Sequence, residues 1–205
     1  EQLSAQDHYD YGMRAVKTVI TAAGNLKRQD PDMNEEMLVL RALQDVNLPK
    51  FLAHDLPLFE GIMSDLFPGI SRPAIDYGAL MTALTICTEQ NKLQSVDIFL
   101  VKCIQLYETI IVRHGLMVVG PTGGGKSNII KVLSDALSML KRKKETGSKF
   151  EKVEKRIINP KSITMGQLYG EFDANTHEWR DGVLASTIRN CARSTTENLK
   201  WVIFD

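Results

Sequence analysis

The sequence predicts an α/β fold built around a phosphate-binding loop and preceded by an all-helical region. Three observations lead to this prediction. Residues Gly120–Ser127 fit the pattern G-x-x-x-x-G-K-[ST] at every fixed position. Val153–Ile158 predicts a strand, and the apolar run Trp201–Phe204 is typical of a buried parallel strand. The first 67 residues show helical periodicity and no pattern typical of a strand.

Helical periodicity organises the start of the chain. Apolar residues recur at helical spacing from Tyr9, and Gly24 is expected to end this helix. Asn34 precedes two glutamates and an apolar run, which is the pattern of an N-cap followed by an acidic first turn. Asp55 is expected to cap a further helix from Leu56, with a proline tolerated in its first turn.

Residues 68–73 are the best candidate for a domain boundary. The breaker Phe67-Pro68-Gly69 stops the preceding helix, and a second proline follows within the same stretch. The chain is therefore divided into residues 1–67 and 68–205. Periodicity predicts two more helices beyond the boundary, over residues 76–89 and 96–112.

The phosphate loop has the flanks that such a loop needs. Leu116–Val119 predicts a strand leading into it, and Asn128–Leu140 predicts an amphipathic helix leading out. Glycines let successive N–H groups face phosphate oxygens, and the helix N-terminus adds free N–H groups and a positive dipole end. In this pattern Lys126 reaches the β- and γ-phosphates and the Ser127 hydroxyl holds Mg²⁺. The candidate nucleotide-binding residues are Gly120, Pro121, Thr122, Gly123, Gly124, Gly125, Lys126 and Ser127.

A competing interpretation is a glycine-rich turn that binds no ligand. The Lys126-Ser127 pair and the two flanks favour the nucleotide site over this alternative.

After the loop helix the chain alternates between apolar and polar stretches. Val153–Ile158 predicts a strand, and residues 164–172 and 182–192 predict helices. The polar stretch 171–181 between them predicts a loop that holds Trp179.

The last five residues predict a second group of the nucleotide site, in addition to the phosphate loop. Trp201–Phe204 is followed by Asp205, so an acid stands at the carboxyl end of a buried strand, which is the Walker-B form. Ligands of parallel α/β sheets bind beyond the carboxyl ends of the strands. Asp205 is therefore expected near Ser127, where it would hold Mg²⁺ through water.

Hydrolysis of a nucleotide needs further groups. A water molecule must be oriented or deprotonated, and an arginine usually balances charge in the transition state. No catalytic residue is assignable within the chain, which ends at Asp205. The sequence thus indicates a binding half-site.

Composition argues against several classes of partner. Among 205 residues, Lys plus Arg equals Asp plus Glu at 25 each, so no overall field favours nucleic acid or an acidic membrane. The apolar runs are far shorter than a membrane span, and the basic run Lys141–Lys144 is most simply a solvated helix end. Three widely spaced cysteines predict free thiols in a reducing compartment, with neither a disulfide nor a zinc site.

Longer segments resemble a family. The chain resembles the AAA+ motor region of dynein heavy chains, and Asn47–Leu52 is more similar to the axonemal, inner-arm type. The segments similar to the second AAA+ module are Gly120–Ser127, Ile158–Asp173, Thr176–Trp179 and Trp201–Asp205. His8–Lys17 is similar to the helical lid at the end of the first module, and the pieces similar to the junction are Leu58-Phe59, Gly61-Ile62 and Ser64–Gly69.

The resemblance implies that residues 1–67 and 68–205 belong to different modules. Residues 1–67 would form the helical lid of the preceding module, and 68–205 the first part of the α/β large subdomain of the next. Arg14 would be the sensor-2 arginine that reaches the preceding module's nucleotide, while Phe67 and Pro68 would line the adenine pocket of the second. From the residues alone, an arginine such as Arg14 on an amphipathic helix is more often a solvated or salt-bridged surface residue, and Phe67-Pro68 is a natural helix end with a core aromatic.

The resemblance also implies a function. The chain would be an internal part of a ring-shaped motor that walks on microtubules in the cytoplasm and in the axoneme of cilia and flagella. Its partners would be the rest of the ring, microtubules through distant parts, and intermediate and light chains indirectly. This module would bind ATP or ADP with Mg²⁺ mainly for structural and regulatory purposes. The alternatives are a hydrolytic AAA+ or helicase-like ATPase and an interaction module whose loop has lost its ligand.

Overall fold

The chain falls into two compact units. The computed structural model describes residues 3–29, 31–70, 77–143 and 150–205. One unit comprises Glu1–Asp76 with Val101–Val119, and the other comprises Tyr77–Leu100 with Gly120–Asp205. The predicted boundary at 68–73 lies partly outside the described residues, and the division at residue 67 stays a prediction.

The first unit begins with three helices around two small cores. One core joins α1 to α2 through Ala22, Ala42 and Val46, and the other joins α2 to α3 through Leu40, Phe59 and Met63. Within the described part of residues 3–67 no strand is present, as the sequence predicted. The helices are α1 (Met13–Gln29), α2 (Glu35–Asn47) and α3 (Leu56–Leu66), with a short 3-10 turn at Leu48–Lys50.

The ends of these helices confirm two predictions and correct two. Asn34 caps α2, since its side-chain oxygen accepts the Glu36 N–H at 2.9 Å. α3 starts at Leu56 as predicted, but the Asp55 side chain does not cap it and bonds elsewhere. α1 continues through Gly24, because a helix tolerates one glycine at a cost of about 1 kcal/mol and the extra turn packs Leu26 onto the Ala22 core.

The second unit is mixed. The helices α4 and α6 pack on each other and bury the unit's core, and α6 also packs on β1. No helix of the described residues is long and apolar enough to cross a membrane. The helices are α4 (Gly78–Gln90), α5 (Asp97–Val112), in which the division between units falls, α6 (Lys126–Lys143), α7 (Met165–Tyr169) and α8 (Val183–Arg193). The strands are β1 (Val153–Ile158), β2 (Gly170–Phe172), β3 (Trp179–Asp181) and β4 (Leu199–Phe204).

The strands β1 and β4 form a parallel pair, which confirms the predicted α/β fold. Their register runs from Val153 opposite Leu199 to Ile158 opposite Phe204. The stretch between them contains α7, the β2–β3 hairpin and α8, and parallel strands require such a long crossover. Both carboxyl ends therefore lie at the same edge of the sheet.

The predicted strand Leu116–Val119 is wrong for this structure. Its residues take no strand assignment, and the side chains of Met117 and Val119 are 88% and 86% exposed. A strand exists only where a neighbour pairs with its N–H and C=O groups. Among the described residues, 116–119 pair with no strand.

The predicted loop 171–181 is instead a small antiparallel hairpin. Phe172 of β2 stands opposite Trp179 of β3, and the two rings meet edge to face at 5.1 Å. The helix predicted over 164–172 ends at Tyr169 because Gly170 takes φ +124°, which only glycine adopts readily.

Candidate nucleotide-binding site

The phosphate loop curls through backbone conformations that require glycine. Gly123 and Gly125 both have φ +80°, where other residues are strained. Gly124 lies close beneath Pro121, since its N–H donates to the Pro121 carbonyl at 3.1 Å and a Cβ there would meet the same oxygen at 3.1 Å. The glycines thus produce the tight turn that aims backbone N–H groups inward.

The N-terminus of α6 follows the loop directly. The Ile129 N–H donates to the Gly125 carbonyl at 2.9 Å and closes the first helical turn. The N–H groups of Lys126, Ser127 and Asn128 therefore have no acceptor within the helix. With the positive end of the helix dipole, these groups form a site suited to phosphate oxygens.

The Lys126 ammonium lies over the loop. Its Nζ donates to the carbonyl oxygens of Gly120 at 2.9 Å and Pro121 at 2.8 Å. Both acceptors are carbonyl groups of the loop, so the loop itself holds the ammonium group in place. A bound phosphate would replace one of these carbonyls as a hydrogen-bond acceptor for Lys126.

Ser127 and Asp205 meet although 78 residues separate them. The Ser127 hydroxyl donates to Asp205 Oδ2 at 3.2 Å. β4 places Asp205 there, and the Asp205 N–H continues the β1–β4 ladder by donating to the Ile158 carbonyl at 3.1 Å. The parallel topology thus brings the residue after the second strand to the start of α6.

This pair fits a magnesium ion. Mg²⁺ prefers oxygen ligands, and it is commonly bound by one or two protein groups together with phosphates and water. A hydroxyl and a carboxylate at hydrogen-bonding distance, both exposed to solvent, supply such groups. In the described part of the chain, no three His, Cys, Asp or Glu side chains gather at a point, so the protein offers no complete metal cage there.

The other predicted site residues, Phe67, Pro68 and Arg14, lie in the first unit. Phe67 ends α3, packs on the Leu40–Phe59–Met63 core, and precedes Pro68. Arg14 stands in the first turn of α1, exposed, with no side-chain partner among the described residues. Phe67 lines an open cavity of about 390 Å³ together with Leu40, Gln44, Glu60, Met63, Ser64, Gly69 and Ile70.

A buried polar cluster near Arg14 escaped prediction. Asp55 is 1% exposed and accepts from the Ser4 backbone N–H, the Ser4 hydroxyl and the Tyr9 hydroxyl. The hydrogen bond from the Ser4 hydroxyl, supported by that from Tyr9, lowers the pKa of Asp55 although burial opposes this shift. Asp55 matched a local cap pattern, and no local pattern indicates partners 46 and 51 residues away.

Comparison with known proteins shows the family of the chain. The family described as "Hydrolytic ATP binding site of dynein motor region" matches residues 1–127. Dynein axonemal heavy chain 1 of Mus musculus is 61% identical over the whole chain, and that of Homo sapiens is 59% identical. Dynein axonemal heavy chain 3 of Mus musculus is 58% identical, again over the whole chain. The chain spans 5% of the length of each of these relatives.

Proposed function

This chain belongs to the dynein heavy chains, and we propose that residues 120–127 and Asp205 hold ATP and Mg²⁺ in one AAA+ module of an axonemal motor. The family's motor region binds ATP, and the α/β core is of the AAA+ type. The observation that carries the proposal is the 3.2 Å contact between Ser127 and Asp205. It joins the two halves of a magnesium–nucleotide site across the sheet edge.

We propose that ATP here acts mainly as a structural and regulatory ligand. The groups that the structure describes at this site, N–H donors, an ammonium, a hydroxyl and a carboxylate, are of the kinds that bind phosphate and metal. A ligand at a hundred times its dissociation constant stabilises the state that binds it by about 2.7 kcal/mol. Bound ATP would thereby stiffen the module and transmit changes from its neighbour.

A second candidate is hydrolysis at this site. It is favoured by the description of the matching family, which names a hydrolytic ATP site over residues 1–127. Hydrolysis would need a base and a charge-balancing arginine beside the Ser127–Asp205 pair.

The remaining roles follow from the family. Residues 1–67 would be the lid of the preceding module and 68–205 the start of the next, with Arg14 reaching the neighbouring nucleotide. Phe67 and Pro68 would line the adenine pocket. The partners would be the other modules of the ring, microtubules through distant parts, and intermediate and light chains indirectly, in the axoneme of a cilium or flagellum.

Replacement of the loop lysine in the full heavy chain tests the proposal. Lys126→Ala removes the charge above the loop, so bound nucleotide per heavy chain should fall by one while steady-state ATP turnover stays substantially intact. Lys131→Ala, an exposed lysine on the same helix, is the matched control and should change neither quantity. Unchanged occupancy in Lys126→Ala would refute binding at this loop. Loss of nearly all turnover would instead identify the hydrolytic candidate.

A further inference from the structure

The segment that precedes α1 is clamped to the start of α3. We call residues 4–12 the N-terminal strap. Ser4 gives Asp55 two hydrogen bonds, from its N–H at 3.1 Å and its hydroxyl at 2.5 Å, and the Tyr9 hydroxyl gives a third at 2.7 Å. A buried carboxylate is costly unless hydrogen-bonded, so these donors and Asp55 hold each other in place.

Further contacts fix the same part of the strap. The Tyr9 hydroxyl accepts the Leu52 N–H at 2.8 Å, and the Tyr9 ring packs edge to face on Phe51 at 5.2 Å. The His8 ring nitrogen Nε2 lies 3.0 Å from the Lys50 carbonyl oxygen. The strap is therefore attached along residues 50–55 and cannot shift along them without breaking several bonds together.

The chain between Tyr9 and Arg14 is short and is held by hydrogen bonds. The Gly12 N–H donates to Asp10 Oδ1 at 2.9 Å, which closes a tight turn directly after Tyr9. The Gly12 carbonyl then accepts the N–H groups of Ala15 at 3.0 Å and Val16 at 3.2 Å. Arg14 thus lies inside the first hydrogen-bonded turn that the strap begins.

The hydrophobic packing of α1 lies away from Arg14. This packing, against α2, comes from the middle of the helix and beyond, through Val19, Ala22, Ala23 and Leu26. Met13, at the start of the helix, is 83% exposed. Among the described residues, the strap therefore supplies the hydrogen-bonded contacts that lie just before the helix end that carries Arg14.

We propose that Asp55 and Tyr9 are positioning residues for Arg14: by clamping the strap they set where the first turn of α1 presents its guanidinium. This inference rests on the proposed role of Arg14 at the neighbouring module's nucleotide. A positioned charge acts on a nucleotide only from a defined place, so a looser strap lowers turnover without touching the nucleotide itself. If the cluster only stabilised the lid, its loss would act independently of Arg14.

Tyr9→Phe in the full heavy chain separates these two roles. The substitution keeps the ring on Phe51 and removes the hydroxyl that joins Asp55 to Leu52. We expect kcat for ATP turnover to fall about two- to tenfold, the effect of one lost hydrogen bond. Ser4→Ala, which removes another hydrogen-bond donor to Asp55, should also lower kcat. Tyr11→Phe is the matched control and should leave kcat unchanged, because the Tyr11 side chain is 59% exposed and its hydroxyl bonds to no described residue.

The double variant with Arg14→Ala decides the outcome. If Tyr9 acts through Arg14, Tyr9→Phe should lower kcat in the wild-type background and have no further effect once Arg14 is alanine. The positioning role would be overturned if the fold-changes in kcat of the two single variants multiply in the double variant. It would also be overturned if Arg14→Ala lowers kcat and Tyr9→Phe does not. Both outcomes would leave the Arg14 proposal standing. An unchanged kcat in Arg14→Ala would overturn the Arg14 proposal, and the positioning role with it.

Discussion

Glycines shape both the phosphate loop and the β2–β3 hairpin, and the space around them differs. At Gly123, with φ +80°, a Cβ would meet nothing within 4 Å, and at Gly125 it would only brush the Phe99 ring at 3.9 Å. The hairpin glycines are enclosed: a Cβ on Gly170 would lie 2.7 Å from the Arg180 carbonyl oxygen, and one on Gly182 would lie 2.6 Å from the Gly170 nitrogen. Gly123 and Gly125 of the loop are needed for their backbone angles, whereas Gly170 of the hairpin is needed both for its backbone angle and for room.

The hairpin and the phosphate loop also differ in how their polar groups are hydrogen-bonded. In the hairpin they satisfy one another, since Asp181 accepts from Trp179 Nε1 at 3.0 Å and pairs with Arg189 of α8, while Arg180 pairs with Asp173 at 2.8 Å. Hydrogen bonds from the Asn175 and Thr176 backbone N–H groups lower the pKa of Asp173, and those from Arg189 and Trp179 lower the pKa of Asp181. In the loop the first N–H groups of α6 have no helical acceptor. The hairpin is closed on itself, and the loop keeps groups and space for a ligand.

The largest expected effect is that of Gly170→Ala. The new methyl group would collide with backbone, and the backbone angle itself is strained for alanine, so each cause costs about 1–3 kcal/mol. Amide hydrogen exchange in the full heavy chain should show residues 170–181 exchanging at least about tenfold faster. Nucleotide occupancy should stay unchanged. Amide exchange as slow as in the wild type would show that the atoms around Gly170 can move to accept a methyl group. The hairpin would then have room for a side chain at this glycine, as the loop does at Gly123.

The contrast also explains which features the sequence could predict. The loop, the Asn34 cap and the order of β1 and β4 depend on local patterns, and parallel topology then brings Asp205 to Ser127. Leu116–Val119 has the composition of a strand, but a strand needs a partner that composition does not supply.

The features that the sequence did not predict depend either on residues far apart in the chain or on very short strands. The hydrogen-bond donors to the Asp55 side chain lie more than 45 residues away in the chain. The local cap pattern therefore predicted the start of α3 correctly but not the hydrogen bonds of Asp55. Strands of three residues, such as β2 and β3, are too short for alternation to show.

Gly123→Ala should have an intermediate effect confined to the nucleotide. The space is free, so only the positive φ is penalised, at about 1–2 kcal/mol. If this cost falls on the curled, binding form of the loop, the dissociation constant for nucleotide should rise about 5- to 30-fold. The measurement is nucleotide bound per heavy chain as a function of ATP concentration. Gly115→Ala is the control, because that glycine has equal space and no positive φ. Equal losses in both variants would show that the angle at Gly123 is unimportant.

Gly24→Ala should have the smallest effect, with the opposite sign. This glycine lies inside α1, has no positive φ, and a Cβ there would meet nothing within 4 Å. Neither angle nor room requires it, so alanine should stabilise the helix by about 0.5–1 kcal/mol through a smaller loss of backbone freedom. Amides of α1 in the full heavy chain should exchange about two- to fivefold more slowly. Faster exchange would mean that another part of the motor packs against this side of α1, which would make Gly24 a third glycine kept for room.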